Sequence, residues 1–343
     1  MSVDTHAPAT AAEQFAMRQQ SPVQRIQHLL HSNPALSPLM VLIISVIVFT
    51  IINPRFIQPG TLSIIIQQTA VIAALAIGQT LIILTAGIDL SVGPICILSM
   101  LLMANLSANN GLPGGLALLI GIAFGVACGF FNGFLVTRLN LPPFIVTLGT
   151  LSIFLAIGLL YSGGASVGKA NMPPLLNAMG TPIPIGPFRL TVGVIFVIAL
   201  AAVVAYVLSQ TAWGRHVYAV GDDIDAARLV GIRVDRVLLS VYTVAGLIYG
   251  LTAWVLIGRA GTASPNAIAT ANLETITAVV IGGTSLFGGR GGILGTMLGA
   301  LIVYAFNIGL SLAGVDDQLR VLTIGVLIIV AVAVDQWIRK VKA

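Results

Sequence analysis

Residues 219–237, AVGDDIDAARLVGIRVDRV, hold Asp222, Asp223, Asp225, Arg228, Arg233, Asp235 and Arg236, seven of the chain's 27 formally charged residues (16 basic plus 11 acidic). Carboxylates and guanidinium groups this close together can cap a helix, pair with one another or meet a polar partner surface. Asp222 suits the N-cap of a short helix, with Asp225 three residues later as in a capping box. Gly231 suits the left-handed position past its end. Such a helix has about 8 residues and is about 12 Å long. It is marginal alone in water and must dock on something. Ile224, Ala227 and Gly231 give it a small apolar edge, with Arg228 beside it. A solvated loop that only sets topology is the bland alternative; caps at both ends favour a surface that fits a partner's groove.

A second polar interruption is GIDLSVG at 87–93. If this turn lies inside a membrane, the Asp89 carboxylate is costly there and marks a functional position. If it lies at the cytoplasmic edge, Asp89 caps a helix starting at Leu90. Further hydroxyl and amide groups sit inside apolar runs: Gln67, Gln68, Gln79, Thr80, Asn132, Thr147, Thr150 and Asn307, with Ser91 next to Asp89. Such groups can hydrogen-bond a polyhydroxylated solute along a path, or a neighbouring helix.

Other chemistry is absent from the sequence. His6, His28, His31 and His216 all lie outside the apolar runs, which excludes an intramembrane histidine relay and most metal sites. Cys96 and Cys128 lie inside such runs and read as packing residues. No G-x-x-x-x-G-K-[ST] phosphate loop occurs, so no ATP hydrolysis is expected of this chain alone, and no cofactor is called for.

The elements that must position these residues are membrane helices. Hydrophobic residues make up 57% of the chain and charged residues 8%, against about 25% charged in soluble domains. So few charges cannot cover a water-exposed surface, and the lipid bilayer is the solvent. The formal net charge of +5 therefore points to no nucleic-acid partner and is read through its placement. Ten apolar stretches approach the length of a span, at 36–53, 60–85, 90–108, 115–137, 142–162, 189–209, 238–258, 272–288, 291–313 and 318–337. They are too long and continuous for barrel strands. Residues 1–35 read as a polar cytoplasmic tail and 36–343 as one transmembrane domain, interrupted by a cytoplasmic segment at 210–237.

With the N-terminus inside, eleven basic residues fall inside (Arg18, Arg25, Arg138, Arg215, Arg228, Arg233, Arg236, Arg290, Arg339, Lys340 and Lys342) and five outside. That bias puts both termini in the cytoplasm. The outside five are Arg55, Lys169, Arg189, Arg259 and Arg320. Arg55, Arg189 and Arg259, near span ends, are candidates for docking an acidic protein surface, with lipid anchoring as the alternative reading. Segment 163–188 is the longest outside loop, too rich in Gly and Pro to span.

Gly121, Gly125, Gly129 and Gly133 recur every four residues, as do Gly291, Gly295 and Gly299, and Gly246 with Gly250. Such rows let helix backbones approach closely, within one chain or between two. The likeness of Ile77-Gly78-Gln79-Thr80 to Ile281-Gly282-Gly283-Thr284, each followed by a Gly-bounded turn, suggests two repeated halves.

At this point the sequence resembles the permease subunits of bacterial ABC importers for monosaccharides, the ribose, xylose and fructose group. The resemblance rests on YAVGDDIDAARLVGIRVDRV (218–237), LTAGIDLSVG (84–93), PPFIVTLGTLSIFLAIGLLYSGG (142–164) and VIGGTSLFGGRGGILGT (280–296), in that family's order, and covers about residues 60–338. It implies an all-α integral membrane protein of about ten helices, of the type II ABC importer kind, in the bacterial inner membrane. It also implies pairing with a second permease copy as a homodimer, a separate cytoplasmic ATP-binding subunit, and a periplasmic sugar-binding protein. Gly221, Asp222, Ala226, Ala227, Arg228, Gly231 and Ile232 would then contact the ATPase. Gln68, Gln79, Thr80, Asp89, Ser91, Asn132 and Thr147 are candidates for the translocation path. Two alternatives stand beside a monosaccharide cargo. One is an ABC permease for a branched-chain amino acid or a signalling sugar. The other is an ion-coupled transporter, which needs ionisable groups along a path; only Asp89 and, near a span end, Glu274 qualify.

Overall fold

The computed structural model describes residues 36–340, so the tail predicted at 1–35 lies outside the described residues. The helices in chain order are α1 (Leu36–Ile52), α2 (Pro59–Leu84), α3 (Val92–Ala108), α4 (Gly114–Arg138), α5 (Pro143–Ser162), the single turn α6 (Pro174–Asn177), α7 (Val192–Gln210), α8 (Ala212–Asp222), α9 (Ile224–Leu229), α10 (Val234–Ala260), α11 (Ala271–Ile281), α12 (Ile293–Leu312) and α13 (Asp317–Lys340). Each of the ten apolar stretches holds a helix. Among the described residues, α2, α4, α5, α7, α10 and α12 are long and apolar enough to cross a membrane, while α1, α3 and α11 are shorter apolar helices.

Local signals set the ends. Pro59 and Pro143 open α2 and α5 at a position that needs no N–H donor. Gly163 (φ 57°) and Gly261 (φ 64°) close α5 and α10 in the left-handed region. The expectation of a full span at 272–288 is corrected. α11 stops at Ile281, because Gly283 (φ 82°), Gly288 (φ 84°) and Gly289 (φ 69°) turn the chain away from helical geometry. Its 11 residues reach about 16 Å, roughly half of a hydrocarbon core.

α2 is the central element. From Val71 to Leu84 its side chains are almost wholly buried, and α3 is buried from Val92 to Leu101. Large apolar side chains on the outer faces of α1, α4, α5, α7 and α13 are exposed, including Ile44 (60%) and Leu160 (83%). That inversion belongs to a body solvated by lipid.

The glycine rows are contacts within one chain. A methyl group at Gly125 on α4 would stand 2.7 Å from the Gly246 carbonyl oxygen and 3.0 Å from the Gly250 Cα on α10. One at Gly299 would collide with the Ala278 carbonyl, and one at Gly295 with that of Gly282, which joins α12 to α11.

The segment between α5 and α7 contains no long helix. Residues β1 (Val167–Gly168) pair antiparallel with β4 (Thr262–Ala263), Val167 opposite Ala263. β2 (Pro182–Ile185) and β3 (Phe188–Thr191) form a hairpin with Ile185 opposite Phe188. Arg189 N–H donates to Ser63 Oγ (3.0 Å), which ties this hairpin to the start of α2.

Candidate functional site

Two polar constellations converge on the far end of α2. The first follows from how that helix ends. Ala86 (φ 60°) takes a left-handed conformation, and Gly87 N–H donates to Ile82 O at 3.0 Å. The chain reverses and runs back along α2, so that Asp89 lies beside Gln79. With its amide oriented by its partners, Gln79 donates Nε2–H to the Asp89 carbonyl (3.0 Å) and accepts Asp89 N–H (3.3 Å). Asp89 Oδ1 accepts from Ser91 N–H (2.7 Å) and Ser91 Oγ–H (2.6 Å). Asn132 Nδ2 on α4 donates to Ser91 Oγ (2.8 Å), and Thr147 Oγ1 on α5 donates to Ile88 O (2.9 Å). Gln79, Ser91, Asn132 and Thr147 are fully buried and Asp89 is 1% exposed.

Two tyrosines of α10 close the knot. The Tyr249 phenol lies beside Asp89, and Tyr242 Oη would stand 3.1 Å from a methyl group placed on Gly87. Tyr242 and Tyr249 are 8 and 15 residues past Val234 in a 27-residue helix, which puts the knot about 12–22 Å along a rod of about 40 Å. Asp89 therefore sits in the middle third of α10, away from the end of the bundle. It is not the cap of a helix at Leu90: α3 starts at Val92, with Ser91 at its N-cap. The carboxylate instead orders the turn and faces the positive end of α3.

Of the seven residues considered for a path, Gln79, Asp89, Ser91, Asn132 and Thr147 thus share one network. Thr80 turns to another face and shares a hydrogen bond with Thr296 Oγ1 on α12 (2.7 Å). Gln68 is eleven residues earlier on α2, about 16 Å from Gln79. Tyr242, Tyr249 and Asn272 were missed. Asn272 Oδ1 accepts Gly93 N–H (3.0 Å), joining the starts of α3 and α11. The spacing of seven between Tyr242 and Tyr249 puts both on one helix face, which is the signal the sequence offered.

The second constellation is the charged segment. It is two helices, with α8 meeting α9 at Asp223. Asp223, not Asp222, is the N-cap: its Oδ1 accepts from Asp225 N–H (2.9 Å) and Ala226 N–H (3.0 Å). Asp222 cannot serve, because it is still the last residue of α8. α9 has 6 residues rather than about 8. Its end is as expected: Gly231 (φ 86°) donates to Arg228 O (3.0 Å) and Ile232 N–H to Ala227 O (3.0 Å), a Schellman closure. Ala227 is 2% exposed and anchors α9, while Leu229 (88%) and Val230 (77%) stand out as a bare apolar tip. The Arg228–Asp225 pair is solvent-exposed at 3.6 Å and contributes little.

α8 is fixed to the break by backbone contacts. Gly221 is wedged against the Leu84 carbonyl and lies next to Gly289, whose N–H donates to that same carbonyl at 3.0 Å. Tyr218 Oη donates to Gly291 O (2.9 Å), and burial pushes its phenol above the ordinary tyrosine pKa. Trp213 Nε1–H donates to Ser240 Oγ on α10 (2.8 Å). Movement of α8 therefore bears directly on the turn that carries Asp89 and on the turn between α11 and α12.

At the opposite end of α2, Arg55, Arg189 and Arg259 are all exposed. Arg55 lies on a turn capped by Asn53, whose Nδ2 donates to Leu312 O (2.9 Å). Arg189 is fastened through its backbone, which also accepts from Gln67 Nε2 (2.5 Å). Arg259 lies in the last turn of α10, where a methyl group on Gly258 would meet the Gly180 amide. Ser63 and Leu84, which mark the two ends, are 21 residues or about 31 Å apart, close to the hydrocarbon thickness of a bilayer.

A family described as branched-chain amino acid transport system / permease component matches residues 61–332. The chain is 48% identical over 339 residues to a fructose import permease protein of Rhizobium meliloti, covering 98% of this chain and 94% of that one. It is 36% identical over 301 residues to a ribose import permease protein of Bacillus subtilis (88% and 92%). It is 34% identical over 305 residues to a D-allose transport system permease protein of Escherichia coli (88% and 91%). No solved structure matches the chain.

Proposed function

The chain belongs to the branched-chain amino acid transport system / permease component family, and from that premise we propose that it is the membrane-spanning subunit of an ATP-driven importer whose cargo is a monosaccharide. It is a multi-pass inner-membrane protein. The observation that carries the reading is the layout along α2: at one end a capped, apolar-tipped helix pinned to the break that ends α2, at the other a set of exposed arginines. A soluble ATPase grips Asp222, Ala226, Arg228, Gly231, Ile232 and the Leu229–Val230 tip; Gly221 and Ala227, expected at that contact from the sequence, are buried and instead hold α8 and α9 against the bundle. A sugar-binding protein docks on Arg55, Arg189 and Arg259. The sugar passes between two copies of the chain, and the knot of Gln79, Asp89, Ser91, Asn132 and Thr147 sets the shape of the wall on each side, with Thr80 and Gln68 farther along α2. ATP is hydrolysed on the separate subunit.

The domain extends from 36 to 343 with ten membrane helices and both termini cytoplasmic. Two halves repeat. The pairing we favour sets α2, its break and α3 against α10, its break and α11: a helix of 26 or 27 residues, a non-helical stretch, then a shorter helix of 17 or 11. Placed in opposite senses, the two short helices meet at Gly93 and Asn272.

A branched-chain amino acid is the second reading, favoured by the family's own description; the three relatives are named for monosaccharides. Proteoliposomes holding this chain with its ATPase and binding protein decide between them. Uptake of labelled fructose or ribose that exceeds leucine uptake supports the sugar reading, and the reverse order contradicts it.

A further inference from the structure

Asp89 and Glu274 both lie among the apolar helices, and their accessibility differs. Asp89 is 1% exposed and Oδ1 is held by Ser91, so no solute reaches it without unfolding the knot. Glu274, in the first turn of α11, is half-exposed. Its Oε1 accepts from Thr270 Oγ1–H (2.8 Å) and its Oε2 from Tyr304 Oη–H on α12 (3.1 Å). Tyr304 lies eight residues before the end of α12 at Leu312, so the carboxylate is about 12 Å in from that end. Arg259, near enough for its charge to act on Tyr304, is exposed at the end of α10, and Thr270, which donates to the carboxylate, is exposed as well.

A charged side chain at this depth does not face hydrocarbon; it faces the bundle interior or water. Glu274 is partly open and its partner Thr270 is exposed, so the carboxylate faces a space that water reaches although Tyr304 is buried. We propose that Glu274 is a hydroxyl-recognising residue on the sugar's route. In this role its carboxylate accepts hydrogen bonds from a monosaccharide's hydroxyls while Tyr304 and Thr270 hold it in position and Arg259 offers a donor. The assignment rests on the importer reading above. It explains why a carboxylate is kept where an apolar residue would join α11 to α12 at lower cost. Each carboxylate oxygen has one lone pair left after its internal hydrogen bond, which is the capacity a pair of neighbouring sugar hydroxyls needs.

The test compares the parent complex in proteoliposomes with Glu274→Gln and Tyr304→Phe, with ATPase and binding protein present. Fructose and ribose serve as probes. The readouts are sugar moved per ATP hydrolysed, ATP hydrolysis stimulated by the binding protein, and thermal stability. Glu274→Gln should lower sugar moved per ATP about tenfold or more, the loss expected for a hydrogen bond to a charged group. Stimulated hydrolysis and melting temperature should stay at parental values. Tyr304→Phe, which frees Oε2 but leaves the acceptor in place, should lose less. A parental sugar-to-ATP ratio in Glu274→Gln overturns the proposal. So does a loss of transport that tracks a loss of melting temperature equally in both variants, because Glu274 is then only a brace between α11 and α12. A parent complex that moves leucine but neither sugar brings down the importer reading, and this proposal with it.

Discussion

Asp89 shows how a single charged residue can be legible in kind and illegible in place. Its setting among Gly87, Ser91 and Gly93 in GIDLSVG marked a break in the apolar pattern, and Gln79, Asn132 and Thr147 stood out as polar residues in apolar runs. Their meeting in one network depends on a chain reversal set by Ala86 in a left-handed conformation, a backbone property no hydropathy pattern records. The tyrosines that enclose the knot were hidden for a related reason: in an apolar run a tyrosine reads as packing until its hydroxyl is seen beside a carboxylate. The network makes a graded prediction. Asp89→Asn keeps an acceptor for the Ser91 N–H, whereas Asp89→Leu leaves that N–H and the Ser91 hydroxyl proton without an acceptor in the interior. The leucine variant should lose about 1–3 kcal/mol more, read as a lower melting temperature in detergent. Equal melting temperatures would mean that the carboxylate does not order the turn.

At the scale of the element, glycine decides how closely helices approach. The row at 121, 125, 129 and 133 was readable; which helix it meets was not, because residues 246 and 250 are 113 or more positions away from it in sequence. Its members are not equivalent. A methyl group at Gly125 would press on the backbone of Gly246 and Gly250, while at Gly121 it would chiefly meet the flexible side chain of Met103. Gly125→Ala should therefore lower thermal stability more than Gly121→Ala, by about 1–3 kcal/mol. Because the contact is internal to one chain, subunit stoichiometry should not change; dissociation at unchanged melting temperature would contradict that reading.

The charged segment offers a second case. The sequence predicts a short docked helix but puts its cap one residue early, since Asp222 and Asp223 are adjacent and both are of a type that caps. The choice is made by Gly221, which carries α8 as far as Asp222. Gly231→Ala strains the left-handed closure of α9 by about 1–2 kcal/mol. It should weaken stimulation of the ATPase while membrane insertion stays intact, as measured by hydrolysis in proteoliposomes of equal protein content.

At the scale of the whole molecule, α2 is a rod whose two ends carry the two proposed partner surfaces. The span windows were legible because lipid solvation leaves long apolar runs. The shortness of α11 was not, because GGTSLFG at 282–288 is apolar enough to extend the window while its glycines end the helix. Of the proposed partner surfaces, the arginine end should respond to salt. Arg55→Glu, Arg189→Glu and Arg259→Glu should each raise the concentration of binding protein needed for half-maximal ATPase stimulation and flatten its dependence on ionic strength. Unchanged values in all three would make these residues lipid anchors.

The account turns on Gly221, where α8 touches the break of α2. The measurement is fructose uptake by proteoliposomes carrying Gly221→Val beside the parent, with ATPase and binding protein present, read together with ATPase retention on the permease. A valine side chain has no space against the Leu84 carbonyl and the Gly289 amide, so α8 must shift away from both turns. The predicted result is an assembled complex that still retains the ATPase but has lost ATP-driven uptake. Parental uptake from the assembled Gly221→Val complex, or parental uptake driven by an ion gradient with no ATPase present, would contradict it.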